Sequence, residues 1–283
     1  MIRSLALFCV LTVVSSGVLA EDKPAQILFF TKSQRFEHTV IKRTGDQPSY
    51  AEKILDELSA KGKFKITCTK DGTFITPENL AKFDLIMFYT SGDLLKPAKD
   101  GSPPMTEAGK SALLEAVKNG KPFMAVHNAL ATFDRLPNNQ VDPYIEMLGG
   151  ESIGHGAQQK GKNVCVDTKF PGCAELADGI DMMEEWYSNK SFQKDLHVIL
   201  VQEPKGMNGA LYLRPPYPST WARMYGKGRV FVTSIGHRED VWSNPVYQKL
   251  LAGGIEWTLG RVEADITPNI EKVTPQYAEL PKK

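Results

Sequence analysis

Short apolar segments alternate with amphipathic helices along the first half of the chain, and this alternation constrains the fold more than any other feature. Strands are predicted where the apolar runs lie, and helices where a capping residue precedes an apolar stripe of helical spacing. The strands are Gln26–Thr31, Phe64–Thr69, Asp84–Tyr89 and Lys121–Val126; the helices are Ser49–Leu58 and the segment from Thr106 to Asn119-Gly120. This pattern is typical of an α/β fold with a doubly wound, mostly parallel sheet.

The second half is less regular, and some of its strands are expected to be antiparallel. Predicted elements are the strands Asn163–Asp167, Leu196–Gln202, Gly209–Leu213 and Arg229–Thr233, a hairpin around Gly226-Lys227-Gly228, and a closing helix over Asn244–Leu259. From Arg261 onward the chain is polar and contains prolines. We therefore expect residues 261–283 to form an extended tail that does not pack.

The first twenty residues have the order of a secretory signal. Arg3 precedes an apolar run from Leu5 to Val14, and small residues lead to Ala20 before Glu21-Asp22. The run is too short to span a bilayer. We expect cleavage after Ala20, a single α/β domain over residues 21–260, and a periplasmic or secreted protein without a membrane span.

Composition excludes several classes of function. Lys plus Arg number 34 and Asp plus Glu 33, so there is no electrostatic basis for binding nucleic acid or an anionic membrane. Beyond the signal the cysteines are Cys68, Cys165 and Cys173, which lack the paired spacing of a structural zinc site. Cys165 and Cys173 either pair in an oxidising compartment or remain buried thiols.

Four of the five histidines lie at predicted strand ends or in a glycine-rich turn. His38 follows the first strand, His127 directly follows Lys121–Val126, His237 follows Arg229–Thr233, and His155 lies between Gly154 and Gly156. Strand ends of a parallel sheet meet at one edge, where ligands bind. Imidazole transfers protons near neutral pH and binds metals. His197 lies inside a strand, and we interpret it as structural.

Two further segments carry groups suited to a polar ligand. Glu184-Glu185-Trp186-Tyr187 joins two carboxylates to two aromatic rings, and is either a solvated helix end or a place where a carboxylate acts beside a sugar-binding ring. Tyr89-Thr90-Ser91-Gly92-Asp93 ends a strand in small polar residues. Such a turn exposes backbone N–H groups that can bind a sugar hydroxyl or an oxyanion, or is simply a turn.

Taken together and in order, these segments resemble the ThuA-like, or trehalose-utilisation, family. The resemblance runs from about Gln26 to Gly260. The segments that carry it are Arg35-Phe36-Glu37-His38, Tyr89-Thr90-Ser91-Gly92, Phe123–Ala129, Leu148-Gly149-Gly150 with His155, Glu184-Glu185-Trp186-Tyr187, and Trp221 through Gly236-His237.

The resemblance implies a flavodoxin-like fold similar to the class I glutamine amidotransferases. Those enzymes carry a cysteine on the turn after a central strand, whereas this chain carries His127 there. Amide transfer by a thiolate is therefore disfavoured. Members of the family are associated with trehalose and related disaccharides, used through 3-keto sugars that are isomerised or cleaved. An exported protein acting on a keto-sugar or glycoside by isomerisation, elimination or hydrolysis is the expected function.

Roles follow for the residues of these segments. His127 and His237 are expected to transfer protons, with Glu185 and His155 as their partners or as ligands of a divalent metal. Three histidines and a carboxylate suit Zn²⁺ or Mn²⁺. The expected sugar-binding residues are Arg35, His38, Ser91, Gly92, Asn128, Tyr187 and Trp221. The alternative is a non-catalytic carbohydrate-binding or interaction protein that keeps the amidotransferase-like scaffold.

Overall fold

A computed structural model describes residues 23–134 and 136–282, so the predicted signal, residues 1–20, lies outside the described part of the chain. The strands are β1 (Ala25–Phe30), β2 (Phe64–Thr69), β3 (Leu85–Phe88), β4 (Phe123–Val126), β5 (Glu151–His155), β6 (Gln159–Cys165), β7 (Ile180–Glu184), β8 (Tyr187–Lys190), β9 (His197–Glu203), β10 (Tyr217–Tyr225) and β11 (Gly228–Thr233). The α-helices are α1 (Tyr50–Gly62), α2 (Pro77–Leu80), α3 (Glu107–Lys118), α4 (Pro143–Leu148), α5 (Glu239–Trp242), α6 (Pro245–Thr258) and α7 (Ile270–Val273).

One nine-stranded sheet, in the order β2-β1-β3-β4-β11-β10-β9-β6-β7, forms the centre of the molecule. The block from β2 to β11 is parallel, and β10, β9, β6 and β7 extend it as antiparallel strands. A separate antiparallel pair, β5 with β8, forms a second small sheet. The predicted α/β fold is confirmed, and the parallel block directs the carboxyl ends of β1, β3, β4 and β11 toward one edge.

Helices cover both faces of the sheet, as a doubly wound fold requires. Alternate residues of β1 show this: Ile27 and Phe29 pack with α1, α5 and α6, whereas Leu28 and Phe30 pack with α3, α4 and α7. The α1 helix begins at a capping box, in which Ser49 and Glu52 each accept the other's backbone N–H. The predicted helix start at Thr106 is also confirmed, since its side chain accepts the N–H of Gly109.

The strand predicted over Gly209–Leu213 is wrong. This segment forms a 3₁₀ turn over Ala210–Tyr212, because Gly209 has a positive φ of +111° that does not continue an extended strand. Tyr212 is then buried while Leu213 stays exposed. The hydroxyl of Tyr212 donates to the carbonyl of Trp186, which anchors the turn beside β8.

The segment after α6 packs, contrary to the expectation for residues 261–283. Asn269 pairs with β9 on both sides, accepting the N–H of Val198 at 2.6 Å and donating to its carbonyl at 3.0 Å. The next residue, Ile270, is almost completely buried in the core on the α3 and α4 face. The prediction failed because the side chain of one asparagine, rather than a further strand, holds this segment against β9. Such a contact leaves no periodic pattern in the sequence.

Three smaller points complete the fold. Cys68, Cys165 and Cys173 are free thiols. His197 is hydrogen-bonded to Thr267 and Asp167, in agreement with a structural role. Among residues 23–134 and 136–282, no helix has the length and apolar character needed to cross a bilayer.

Candidate functional site

The four histidines predicted from strand ends surround one carboxylate, that of Glu185. His38 follows β1, His127 follows β4, His237 follows β11 and His155 ends β5. Glu185 lies between β7 and β8. Distant parts of the sequence therefore converge at the carboxyl edge of the parallel strands.

Three of these rings and Glu185 are in mutual contact. Nε2 of His38 lies 3.3 Å from Nε2 of His127 and 3.5 Å from Oε2 of Glu185. The same carboxylate oxygen is 3.6 Å from Nε2 of His127 and 3.1 Å from Nδ1 of His237. One ligand atom from each of the four residues lies within 4.8 Å of all the others. These residues, His38, His127, Glu185 and His237, are called the four-donor cluster below, and imidazole and carboxylate donors suit a transition metal.

His127 sits on a sharp turn immediately after β4. Its φ is +49°, a left-handed conformation that a residue with a β-carbon rarely adopts and that concentrates at functional sites. The ring is completely buried, and Nδ1 lies 2.8 Å from the carbonyl of Ser234. That contact fixes the proton on Nδ1 and leaves the Nε2 lone pair facing the cluster. Burial lowers the pKa of His127 to about 3, so the ring is neutral.

Glu184 holds the loop that carries His237. Its carboxylate accepts the N–H of Gly236 at 3.0 Å and that of His237 at 3.1 Å. Burial raises the pKa of Glu184 to about 7, although these backbone hydrogen bonds oppose the shift. Trp242 and Tyr89 both donate to the carbonyl of Gly236, which fixes the other side of the loop.

Glu185 is the common partner of the histidines, and its two oxygens have different neighbours. Oε2 faces the three rings of the four-donor cluster, and Oε1 lies 3.2 Å from Nδ1 of His155. Burial alone would raise the pKa of Glu185, but interactions with His127, His237 and His38 outweigh it and lower the pKa. Burial also lowers the pKa of His38. The cluster thus places one carboxylate beside two rings, His38 and His127, that burial shifts toward their neutral form.

His155 differs from the other three histidines in its exposure. Its side chain is 40% exposed, compared with 13% for His237 and 1% or less for His38 and His127. Nδ1 contacts both Glu185 and the carbonyl of Gly156, at 3.0 Å for the latter. A proton on Nδ1 satisfies both acceptors and leaves Nε2 as a proton acceptor.

A cavity of about 340 Å³ opens beside the cluster, within the range of about 300–1,000 Å³ typical of small-molecule sites. It combines charged, polar and aromatic groups. Its lining consists of Arg35, Phe36, His38, Ser91, Asn128, Ala131, Ser152, Gly154, His155, Glu185 and Tyr187.

Five predicted sugar-binding residues line this cavity, and they differ in whether their polar groups already have hydrogen-bond partners within the protein. The Tyr187 hydroxyl donates to Oδ1 of Asn128 at 2.9 Å, which leaves the amide NH₂ of Asn128 for a ligand. Ser91 donates to the carbonyl of Phe36 and is already engaged. Arg35 is paired with Asp134 and is one-third exposed. His38 belongs to the four-donor cluster.

Gly92 and Trp221 do not line the cavity. Gly92 lies behind Arg35, and a β-carbon there would come within 2.4 Å of Oε1 of Gln34. Trp221 is fully buried on β10, where its indole N–H donates to the carbonyl of Leu148 at 2.8 Å. The prediction that Trp221 holds the sugar is therefore wrong. Its alternation pattern reflected packing in the core, not ligand contact.

Sequence reasoning missed three residues that shape the site. Ser152 is buried against the cavity, and its Oγ has no hydrogen-bond partner among the described residues. Phe36 is 59% exposed at the cavity, with its ring edge against His38. Glu184 orients His237. The motif containing Phe36 and the paired glutamates could have signalled two of them, but no pattern marks Ser152.

Comparisons with solved structures show the same fold in other proteins. A putative ThuA-like protein from Bacteroides uniformis is 18% identical, with a TM-score of 0.64 over 84% of this chain and 93% of that one. A second, from Parabacteroides merdae, is 15% identical, with a TM-score of 0.62 over 92% of this chain and 98% of that one. A catalytic mutant of Gan42B, a GH42 beta-galactosidase from G. stearothermophilus, is 12% identical, with a TM-score of 0.50 over 87% of this chain and 31% of that one.

Comparison at the level of sequence identifies the family. No curated protein is significantly similar to the chain. The profile of the ThuA family, described as trehalose utilisation, matches residues 26–258, which include every residue of the four-donor cluster and of the cavity. That description indicates a carbohydrate-related function. The chain belongs to the ThuA trehalose-utilisation family.

Proposed function

We propose that this protein binds a keto-sugar or keto-glycoside in the cavity and removes a proton from the carbon next to the ketone, with His155 as the base. The contact between His155 and Glu185 is the observation that carries the proposal. The trehalose-utilisation family supports a sugar as the ligand. Export to the periplasm or medium is part of the same proposal, on the evidence of residues 1–20.

His155 suits proton transfer better than the fully buried His127, and it is more exposed to a ligand than His237. A general base needs a free lone pair within reach of the substrate, and a carboxylate behind the ring stabilises the imidazolium that forms. His155 has both, with Glu185 behind Nδ1 and an exposed ring at the cavity. The Nε2 atom of His127 instead faces His38 and Glu185, away from solvent.

Groups around the cavity favour a polyhydroxylated ring. The Asn128 amide donates, the Ser152 hydroxyl lacks a partner, and the exposed face of Phe36 offers an apolar surface of the kind that packs on a sugar. Asn128 and Arg35 line the same cavity and carry N–H donors that suit a developing enolate oxygen.

The proposed reaction on a keto-glycoside is an elimination. His155 takes the proton from the carbon between the ketone and the anomeric carbon, and the electrons of that C–H bond form a C=C bond. The glycosidic C–O bond breaks, and the departing oxygen receives a proton to become an alcohol. No water is consumed, and no nucleophile on the protein is needed.

The test is turnover of 3-keto-trehalose and 3-keto-glucosides by the purified protein, followed by mass spectrometry. Wild type is expected to release the alcohol or sugar without adding water. The His155→Gln variant is expected to lose about 10²–10⁴-fold in kcat/KM, the usual contribution of a general base. His197→Gln is the matched control, since His197 is a hydrogen-bonded histidine remote from the cavity.

Two results would overturn the proposal. The first is the absence of turnover by wild type on every keto-sugar offered, which would favour the non-catalytic binding protein. The second is unchanged turnover by His155→Gln with His197→Gln equally active, which would move the proton transfer to another residue.

A further inference from the structure

We infer that the four-donor cluster is a binding site for one divalent transition-metal ion, Zn²⁺ by preference, held by Nε2 of His38, Nε2 of His127, Nδ1 of His237 and Oε2 of Glu185. This inference goes beyond the proposed keto-sugar chemistry, and it does not depend on which sugar the protein acts on.

The spacing of the donor atoms fits a tetrahedral ion. Zn²⁺ binds histidine nitrogen and carboxylate oxygen at about 2.0–2.1 Å, so a tetrahedron of such bonds holds its donors roughly 3.3–3.4 Å apart. Four of the six donor pairs are 3.1 Å, 3.3 Å, 3.5 Å and 3.6 Å apart. The two pairs between Nδ1 of His237 and the other imidazoles lie within 4.8 Å, so the donors need only a small inward movement to close on an ion. Four protein donors of imidazole and carboxylate type are also the usual complement of a tetrahedral zinc site.

The hydrogen bonds of the cluster are incomplete without a cation. Nδ1 of His237 is buried 3.1 Å from Glu185, yet it forms no hydrogen bond with any described residue. His127 directs a lone pair, not a proton, toward the same point. Without an ion, Nε2 of His38 carries the proton toward the acceptors His127 and Glu185, while its buried Nδ1 has no partner among the described residues. The lone pair of His127 and the carboxylate of Glu185 thus converge 3.6 Å apart, and a metal ion that displaces the His38 proton satisfies both.

Neighbouring residues orient the donors. The Ser234 carbonyl orients His127, and Glu184 orients His237 through the backbone. The amide of Gln158 lies 2.8 Å from Nε2 of His237. The amide nitrogen of Gln158 faces Nε2, and its oxygen accepts from Arg238 at 2.7 Å. Binding of the ion at Nδ1 therefore requires the Gln158 amide to turn its oxygen toward Nε2, which then carries the proton. Such outer partners tune ligand orientation and metal affinity.

Metal content tests the inference without reference to activity. The full-length protein is stripped with a chelator, loaded with Zn²⁺, dialysed and measured by elemental mass spectrometry. Wild type is expected to retain one zinc ion per chain. His38→Gln and His237→Gln are expected to bind zinc roughly a hundredfold or more weakly, because outer-partner changes alone cost 10–100-fold. The control His197→Gln should match wild type. Failure of wild type to retain zinc, or equal retention by both ligand variants, would overturn the inference.

Substitution of Co²⁺ for Zn²⁺ gives a second readout that needs no variant. Four-coordinate Co²⁺ absorbs visible light strongly, and six-coordinate Co²⁺ weakly. Intense absorption by cobalt-loaded wild type is expected, and weak absorption would contradict four protein donors.

His155→Gln separates this inference from the proposed function, since it should keep the metal and lose turnover. Zinc binding without turnover would refute only the function, and turnover by protein that cannot bind zinc would refute only the metal.

Discussion

Gly236 is the residue through which backbone geometry most directly controls the site. It precedes His237 and has a φ of +137°. An added β-carbon would lie 2.9 Å from Oη of Tyr247, 3.2 Å from Cγ1 of Val126 and 3.5 Å from Cβ of His127. Tyr247 is fully buried and donates to the carbonyl of Ile235, so it cannot move without losing that bond.

The cost of Gly236→Ala follows from these contacts. A residue with a β-carbon in this backbone region costs about 1–3 kcal/mol. Loss of the Tyr247 hydrogen bond adds about 0.5–1.5 kcal/mol. We expect the free energy of unfolding to fall by about 1.5–4.5 kcal/mol, and zinc affinity to fall as well because His237 moves with the loop.

Gly206→Ala is the matched control. Gly206 has a φ of +84°, and a β-carbon there meets nothing within 4 Å, so only backbone strain of about 1–2 kcal/mol is added. Urea unfolding of both metal-free variants gives the comparison, provided that their m-values agree. A Gly236→Ala variant as stable as Gly206→Ala, with the zinc affinity of wild type, would refute the argument.

Four further outcomes are expected. Ser152→Ala should raise KM for a keto-sugar about tenfold with kcat nearly unchanged, since only a substrate hydrogen bond is lost, and steady-state kinetics check this. Ile270→Ala should lower the free energy of unfolding by about 2–5 kcal/mol in urea titrations, because that side chain is buried; no change would mean that the C-terminal segment does not stabilise the fold. Gln158→Glu should tighten zinc binding in calorimetry, because a carboxylate holds the proton on Nε2 of His237; weaker binding would contradict the assigned donor atom. Protein recovered from the periplasm or medium should begin at Glu21 on N-terminal sequencing, and a retained segment 1–20 would contradict export.

Much of the parallel half was predictable because its signals are local. Strands β1, β3 and β4 are short and buried on both faces, β2 alternates as an edge strand, and the helices α1 and α3 begin at the capping residues Ser49 and Thr106. The convergence of His38, His127 and His237 followed from topology alone, since strands of a parallel block end at one edge.

The remaining parts depend on contacts between distant residues. Strands β5 and β8 went unpredicted because they form their own small pair and carry polar residues such as Ser152 and Asn189. Strand β7 was missed as well; it lies at the edge of the main sheet and pairs only with β6. The alternating pattern around Trp221 is the same for a ring that faces a ligand and for a ring that faces the core, so the sequence could not distinguish the two. The role of Glu184 depends on backbone N–H groups some fifty residues away, which no sequence spacing reveals.

The central claim is that a C–H bond next to a ketone is broken at the cavity beside His155 and Glu185. A keto-glycoside carrying deuterium at the carbon between the ketone and the anomeric centre tests it directly. Mass spectrometry of the products is predicted to show that the deuterium has left that carbon. Products that keep the label and gain the mass of water would show hydrolysis instead, and would contradict the account.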